Sequence, residues 1–145
     1  MAPSAVPQLL SGTARRLVEL LDGASACVVS RVIGDLLVDL TQHSTGERID
    51  AGHEYLVSDF PLTKQVIESG EPQVVVISDP DADKAEADLL RRIGFQSLLM
   101  IPLETNGGSW GLVEVYGDER GFSDADVHAA GEVAAETGRK LEELA

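Results

Sequence analysis

The sequence predicts one α/β domain, with a sheet covered by helices on both faces. Two observations carry this. At both ends of the chain apolar residues recur at steps of three and four, while the middle holds short β-rich runs broken by Gly, Pro, Asn and Asp. The run Leu98-Leu99-Met100-Ile101 is apolar at every position, so both of its faces need cover, as in a central strand between two helical layers. A length of 145 residues suits one domain, 1–145, and no repeat or low-complexity linker divides it.

The first helix is predicted from Val6 to Leu21. Val6, Leu10, Thr13, Leu17 and Leu20 form its apolar stripe, and Asp22-Gly23 ends it. Strands Ala26 to Ile33 and Leu36 to His43 flank Gly34-Asp35, a tight-turn pair. Alternation in the second strand sets Leu36, Val38 and Leu40 on one side and Leu37, Asp39 and Thr41 on the other. Ser44 to Glu54 is polar and long for a connection, a feature of functional loops. Tyr55-Leu56-Val57 reads as a short strand. Ser58-Asp59-Phe60-Pro61 starts a helix with Leu62, Val66 and Ile67 on its apolar face, and Gly70 stops it. Val74 to Ile77 is predicted as a buried strand. Asp79-Pro80-Asp81 opens a second short helix with Ala85, Leu89, Leu90 and Ile93 inward, closed by Gly94. Strands Ser97 to Leu103 and Ser109 to Tyr116 are joined by Asn106-Gly107-Gly108. Ser123 caps a final helix that runs to the last residue.

Composition narrows the function. With 43% hydrophobic and 25% charged residues, disorder is expected only at Met1 to Pro7. No apolar run approaches the roughly 18 residues of a membrane span, and no basic segment precedes the first apolar stretch, so a cytoplasmic protein is expected. Eleven Lys plus Arg face 25 Asp plus Glu, a formal net charge of −14 that repels nucleic acid and anionic membranes. Cys27 is the only cysteine and sits in an apolar run, which reads as a core residue. Asp79, Asp81 and Asp83 lack the Gly and the distal Glu of a calcium loop, so they read as helix caps and solvated charge, and no metal site is expected. Nucleophile-elbow, phosphate-loop and zinc-protease motifs do not occur. The chain therefore reads as a binding module with no catalytic residues.

Four segments resemble a GAF domain, the small-molecule-sensing relative of the PAS fold. They are Val66 to Val76, a helix, Gly, Pro and strand run; Gly94 to Leu103, a strand ending in Ile-Pro-Leu; Trp110 to Tyr116, a Gly-containing strand after a hairpin; and Phe122-Ser123-Asp124-Ala125-Asp126 at the start of the last helix. The resemblance implies an antiparallel sheet of five or six strands. It places the terminal helices on one face and short helices and loops over a pocket on the other. It also implies a sensory role in signal transduction, with an output domain or partner protein. The family's cyclic-nucleotide signature is not found. Cys27 lies on the first strand, away from the position where bilin-binding members attach their pigment. One cysteine cannot run a methionine sulfoxide reductase cycle. His43, His53 and His128 lack a haem context. No haem, bilin or metal cofactor is therefore expected, and the ligand is unknown.

Glu114 shares a strand face with Trp110, Leu112 and Tyr116, while Gly111, Val113 and Val115 share the other. The small and β-branched face suits the terminal helices, which turns Glu114 toward the pocket. It is then either a ligand contact, to an amine or hydroxyl, or a strand-edge carboxylate reaching water or Arg91 or Arg92; the second is preferred. The connections used by the family add Tyr55, Phe60, Asp79, Arg92, Phe95 and Ser97 as ligand-binding candidates, beside Trp110 and Glu114. For each aromatic, ordinary core packing is the stronger alternative. Apolar seams on both terminal helices predict a homodimer through them. Two functions compete: a small-molecule sensor, and a ligand-free interaction or homodimerisation domain. A redox or gas sensor using Cys27 or a histidine is the weakest reading.

Overall fold

A computed structural model describes residues 5–46 and 54–144. The terminal helices are α1, Ala5–Leu20, and α4, Asp124–Leu144. Between them lie β1 (Ala24–Ile33), β2 (Leu36–Ser44), β3 (Glu54–Leu56), a 3₁₀ turn (Val57–Asp59), α2 (Pro61–Ser69), β4 (Gln73–Val76), α3 (Lys84–Ile93), β5 (Ser97–Thr105) and β6 (Gly108–Gly117). The strands form one antiparallel sheet in the order β3-β2-β1-β6-β5-β4. Most of the predicted Ser44 to Glu54 loop, His53 and Ala145 lie outside the described residues.

Strand alternation sorts the apolar residues into two cores. On one face Cys27, Val29, Leu99, Ile101, Leu103, Val113 and Val115 meet Leu10, Ala14, Leu17 and Val18 of α1 and Ala130, Val133, Ala134 and Leu141 of α4. On the other, Ala26, Val28, Leu37, Leu98, Met100, Leu112 and Tyr116 meet Val57, Val66 and Leu90 from the 3₁₀ turn, α2 and α3. The expected three layers, with both faces of β5 covered, are present. No described helix is long and apolar enough to cross a membrane.

Several local expectations change. Residues 5–7 are helical, so the expected N-terminal disorder does not reach Pro7. Leu20 is half exposed, and Leu21 takes the core position instead, because the chain has left the helix there. A register shift lies opposite Val29 and Ser30, and β2 absorbs it at Leu40. That extra residue splits the predicted face: Leu37 packs on the α2/α3 side, while Thr41 bonds Ser11 of α1. Only Val75 of β4 is buried, because β4 is an edge strand. The α3 helix begins at Lys84, later than expected, since Asp83 caps it by accepting from the Glu86 amide at 3.1 Å. At α4, Ser123 and Asp126 cap each other's backbone amides at 3.1 and 2.9 Å.

The terminal helices touch through Thr13 and Thr137, whose hydroxyls are 2.7 Å apart, and through the Arg16–Glu136 ion pair. Against the sheet, α4 approaches at backbone range. A Cβ on Gly138 would lie 2.1 Å from the Glu104 carbonyl oxygen at the end of β5. The Glu104 carboxylate reaches the other way: a Cβ on Gly70, the left-handed residue ending α2, would lie 3.3 Å from its Oε2.

Gly138→Ala should therefore lower stability by about 1–3 kcal/mol, since overpacking against fixed backbone outweighs the gain in helix propensity. Gly131→Ala, on the same helix with nothing near its missing Cβ, should instead gain up to about 1 kcal/mol. Urea denaturation of the two variants checks both signs.

Candidate functional site

The sheet face under α2 and α3 holds an unusual concentration of buried polar side chains. Glu86 on α3 is 1% exposed and Glu114 on β6 is 5% exposed. The Thr63 hydroxyl on α2 donates to Glu86 and also lies 3.4 Å from the Met100 sulfur. Tyr116 donates to Glu114 at 3.3 Å, and Ser30 donates to Asp39 at 2.8 Å. On the opposite face, the buried polar residues among those described are Thr13 and Thr137, which serve the helix pair, and Ser97, which bonds a turn.

Burial in this layer raises carboxyl pKa values because the charged form loses hydration. Glu114 is pushed up to about 8, first by burial and then by the negative charge of Glu86 and Asp39, against a lowering by the Tyr116 hydrogen bond. Glu86 is also raised, mainly by burial, against the Thr63 hydrogen bond. Among the described residues, no ion pair involves either carboxyl. Burial thus favours the protonated form of Glu114, which can both donate and accept a hydrogen bond.

Only part of the predicted site assembles. Tyr55 and Phe60 meet edge-to-face at 5.6 Å, and Phe95 lies 5.2 Å from the Tyr116 ring. Tyr55 and Phe95 pack on the same core as Leu112 and Tyr116, and Tyr116 bonds Glu114. The favoured reading of Glu114 does not hold: it is buried, and Arg91 pairs instead with Asp88 on the exposed side of α3. Arg92 is exposed there too. Asp79 is exposed in the turn after β4, where it accepts from the Asp81 amide. Ser97 is buried but donates to the Asp118 carbonyl at 2.8 Å, a contact that holds a turn. Trp110 lies on the α1/α4 side, under the Arg31 guanidinium at 4.3 Å. The reason is a register shift at Leu103/Glu104, which leaves Trp110 out of the β5–β6 pairing and off the Glu114 face. Gly111 is small for β1, since a Cβ there would lie 2.1 Å from the Ser30 carbonyl oxygen; the terminal helices do not require it.

Glu86, Thr63, Asp39, Ser30, Tyr116 and Met100 were not among the predicted site residues. Glu86 had a signal: with Leu90 and Ile93 it continues the inward stripe of α3 at steps of four and three. Asp39 had one too, as the residue after next from inward-facing Leu37.

Cys27 is fully buried on the α1/α4 face, and burial pushes its thiol far above the ordinary range. His43 lies on β2 beside it, and exposed His128 contacts Glu132 on α4. No group of three or more His, Cys, Asp or Glu among the described residues is arranged to hold a metal. Surface grooves lie mainly along α1 and α4. One of about 470 Å³ is lined by residues including Arg16, Leu20, Ala129, Glu132 and Arg139.

The GAF domain family matches residues 6–141. The chain belongs to the GAF domain family. Solved structures agree on the fold. The blue-light absorbing form of the PixJ GAF domain from Thermosynechococcus elongatus superposes with a TM-score of 0.81 at 15% identity, over 99% of this chain and 90% of that one. A far-red absorbing dark-state protein with bound biliverdin IXa gives 0.79 at 16%, over 97% and 91%. A GAF domain/HD domain protein from Geobacter sulfurreducens gives 0.76 at 12%, over 97% and 94%. No curated protein matches the sequence. The biliverdin-bound neighbour corrects the expectation that a bilin is excluded. That expectation rested on the position of Cys27, which bears on covalent attachment alone and not on binding.

The raised Glu114 pKa has a direct consequence for this GAF domain. The folded state holds the Glu114 proton above the unfolded value of 4.5, so its stabilising contribution is complete below pH 4.5 and is lost as pH rises to about 8. Glu114→Gln removes the titration. The melting temperatures of variant and parent should be close near pH 4.5, and the variant should gain several degrees over the parent by pH 8.5. A constant difference across that window would place the Glu114 pKa near its ordinary value.

Proposed function

We propose that this GAF domain is a non-catalytic sensory or regulatory module that binds a small molecule between the sheet and the α2/α3 layer. Occupancy is passed to α1 and α4, through which the domain pairs with a second copy in the cytoplasm and acts on an output domain or partner. The observation that carries the reading is that the buried carboxyls lie on one side of the sheet, in a polar layer where Thr63, Glu86, Ser30, Glu114, Tyr116 and half-buried Asp39 come from five elements. A core needed only for stability would use aliphatic groups there, since buried carboxyls cost free energy. Buried carboxyls with raised pKa values beside hydroxyls suit a ligand bearing hydroxyl or amine groups. Tyr55, Phe60 and Phe95 supply aromatic walls.

A specific observation favours the second reading, a ligand-free interaction or homodimerisation domain. Every buried side-chain nitrogen and oxygen among the described residues has a hydrogen-bond partner within the protein, and aliphatic side chains fill the same face. For pairing, the α1/α4 groove offers exposed Leu20 between Arg16 and Arg139 and the carboxylates Glu132 and Glu136, a mixture of signs that a two-fold axis can match with itself.

Two measurements separate the readings. Native mass spectrometry of untreated protein, with a thermal-shift panel of amines, polyols, nucleosides and biliverdin IXa, should reveal a co-purified mass or a compound that raises the melting temperature. Glu86→Gln should diminish that rise. A bilin bound on this face would carry no thioether to Cys27, which lies on the other face, so denaturation would release it free. A bare mass and a flat panel would leave the ligand-free reading standing. Light scattering should give twice the 15.4 kDa chain mass; a monomer at tens of micromolar rejects the pairing.

A further inference from the structure

Three strands present an uncovered apolar row on the face that α1 and α4 only partly cover. Ile33 is 60% exposed and Leu56 is 49% exposed, whereas most large aliphatic residues of the sheet are buried. They are not scattered. Ile33 pairs with Leu36 at the closed end of the β1–β2 hairpin, and Leu36 pairs with Leu56 across β2 and β3. Registered partners project to the same face of a sheet. Their chain neighbours Val32, Leu37 and Tyr55 all pack into the α2/α3 core, so Ile33, Leu36 and Leu56 project from the opposite face. The next row is Arg31, Val38 and Glu54. Contiguous exposed apolar surface rimmed by polar residues is a mark of an interaction site.

Charge selects the occupant. Asp35 adjoins the row in the hairpin turn and Glu54 lies beside Val38, both exposed. Among the described residues, the cation beside the row is Arg31, and it is engaged: it stacks on Trp110 and donates to the Trp110 carbonyl at 3.0 Å. The chain as a whole carries −14. A second copy would bring the same acidic rim against this one, and an anionic bilayer would be repelled. We propose that the Ile33–Leu36–Leu56 row is a docking surface for a partner protein segment that is amphipathic, with apolar side chains on one face and Lys or Arg at its edges. It is separate from both the α2/α3 site and the α1/α4 pairing surface.

The test uses the whole chain and a synthetic leucine–lysine amphipathic peptide as probe. Expected are amide shift changes centred on Ile33, Leu36 and Leu56, and an affinity that falls with added salt. Ile33→Ser with Leu56→Ser should weaken binding about tenfold or more while lowering the melting temperature only slightly, because each side chain is half or more exposed. Glu54→Gln should reduce the salt sensitivity while leaving the apolar row intact. Equal affinity of parent and double variant overturns the proposal, as do shift changes spread evenly over the acidic surface. A parent dimer that dissociates in the double variant also overturns it, by assigning the row to a second copy.

Discussion

The middle spans of strands β1, β6 and β5 are buried on both faces. Their alternate side chains feed two separate cores, one closed by α1 and α4 and the other by the 3₁₀ turn, α2 and α3. The hydrophobic effect therefore demands cover on both sides at once. Every other element is placed by that demand, and the edge strands β3 and β4, with fewer buried residues, are where the cover thins out. The exposed row at Ile33, Leu36 and Leu56 lies where the helical cover on β2 gives way to the β3 edge.

The two cores differ in chemistry. The α1/α4 side holds few buried polar groups among the described residues, hydroxyls alone, and two of them join the helix pair. The α2/α3 side carries two carboxyls whose pKa values are raised, chiefly by burial. The sheet thus separates a packing layer from a layer with hydrogen-bonding capacity. That division is why the two proposed roles, sensing and pairing, fall on opposite faces.

Most of the fold was legible because it follows from period and turn chemistry. The step of three and four in α1 and α4, the alternation in β6 and the Gly34-Asp35 and Asn106-Gly107 turns are local signals. What was not legible depends on register. A shift at Leu40 parts Thr41 from Leu37, and a shift near Trp110 moves the indole to the other face. Neither leaves a mark in composition, since alternation looks regular until a partner strand is supplied. The site was half legible for a related reason. Glu114 was singled out from its strand face, but Glu86 and Asp39 arrive from other elements. Their effect on Glu114 is a property of the assembled sheet. Asp79, Arg92 and Ser97 were chosen by their place in the connections, and their side chains are occupied with solvent or turns.

Glu104 gives the two layers a shared joint. Its carboxylate stands against the end of α2 and its carbonyl against Gly138 of α4. The second contact is main chain on main chain, with no rotamer in between to yield. At this corner a small movement of one layer cannot be absorbed by side chains before it reaches the next, so the end of β5 acts as a rigid coupling between the polar face of the sheet and the long terminal helix.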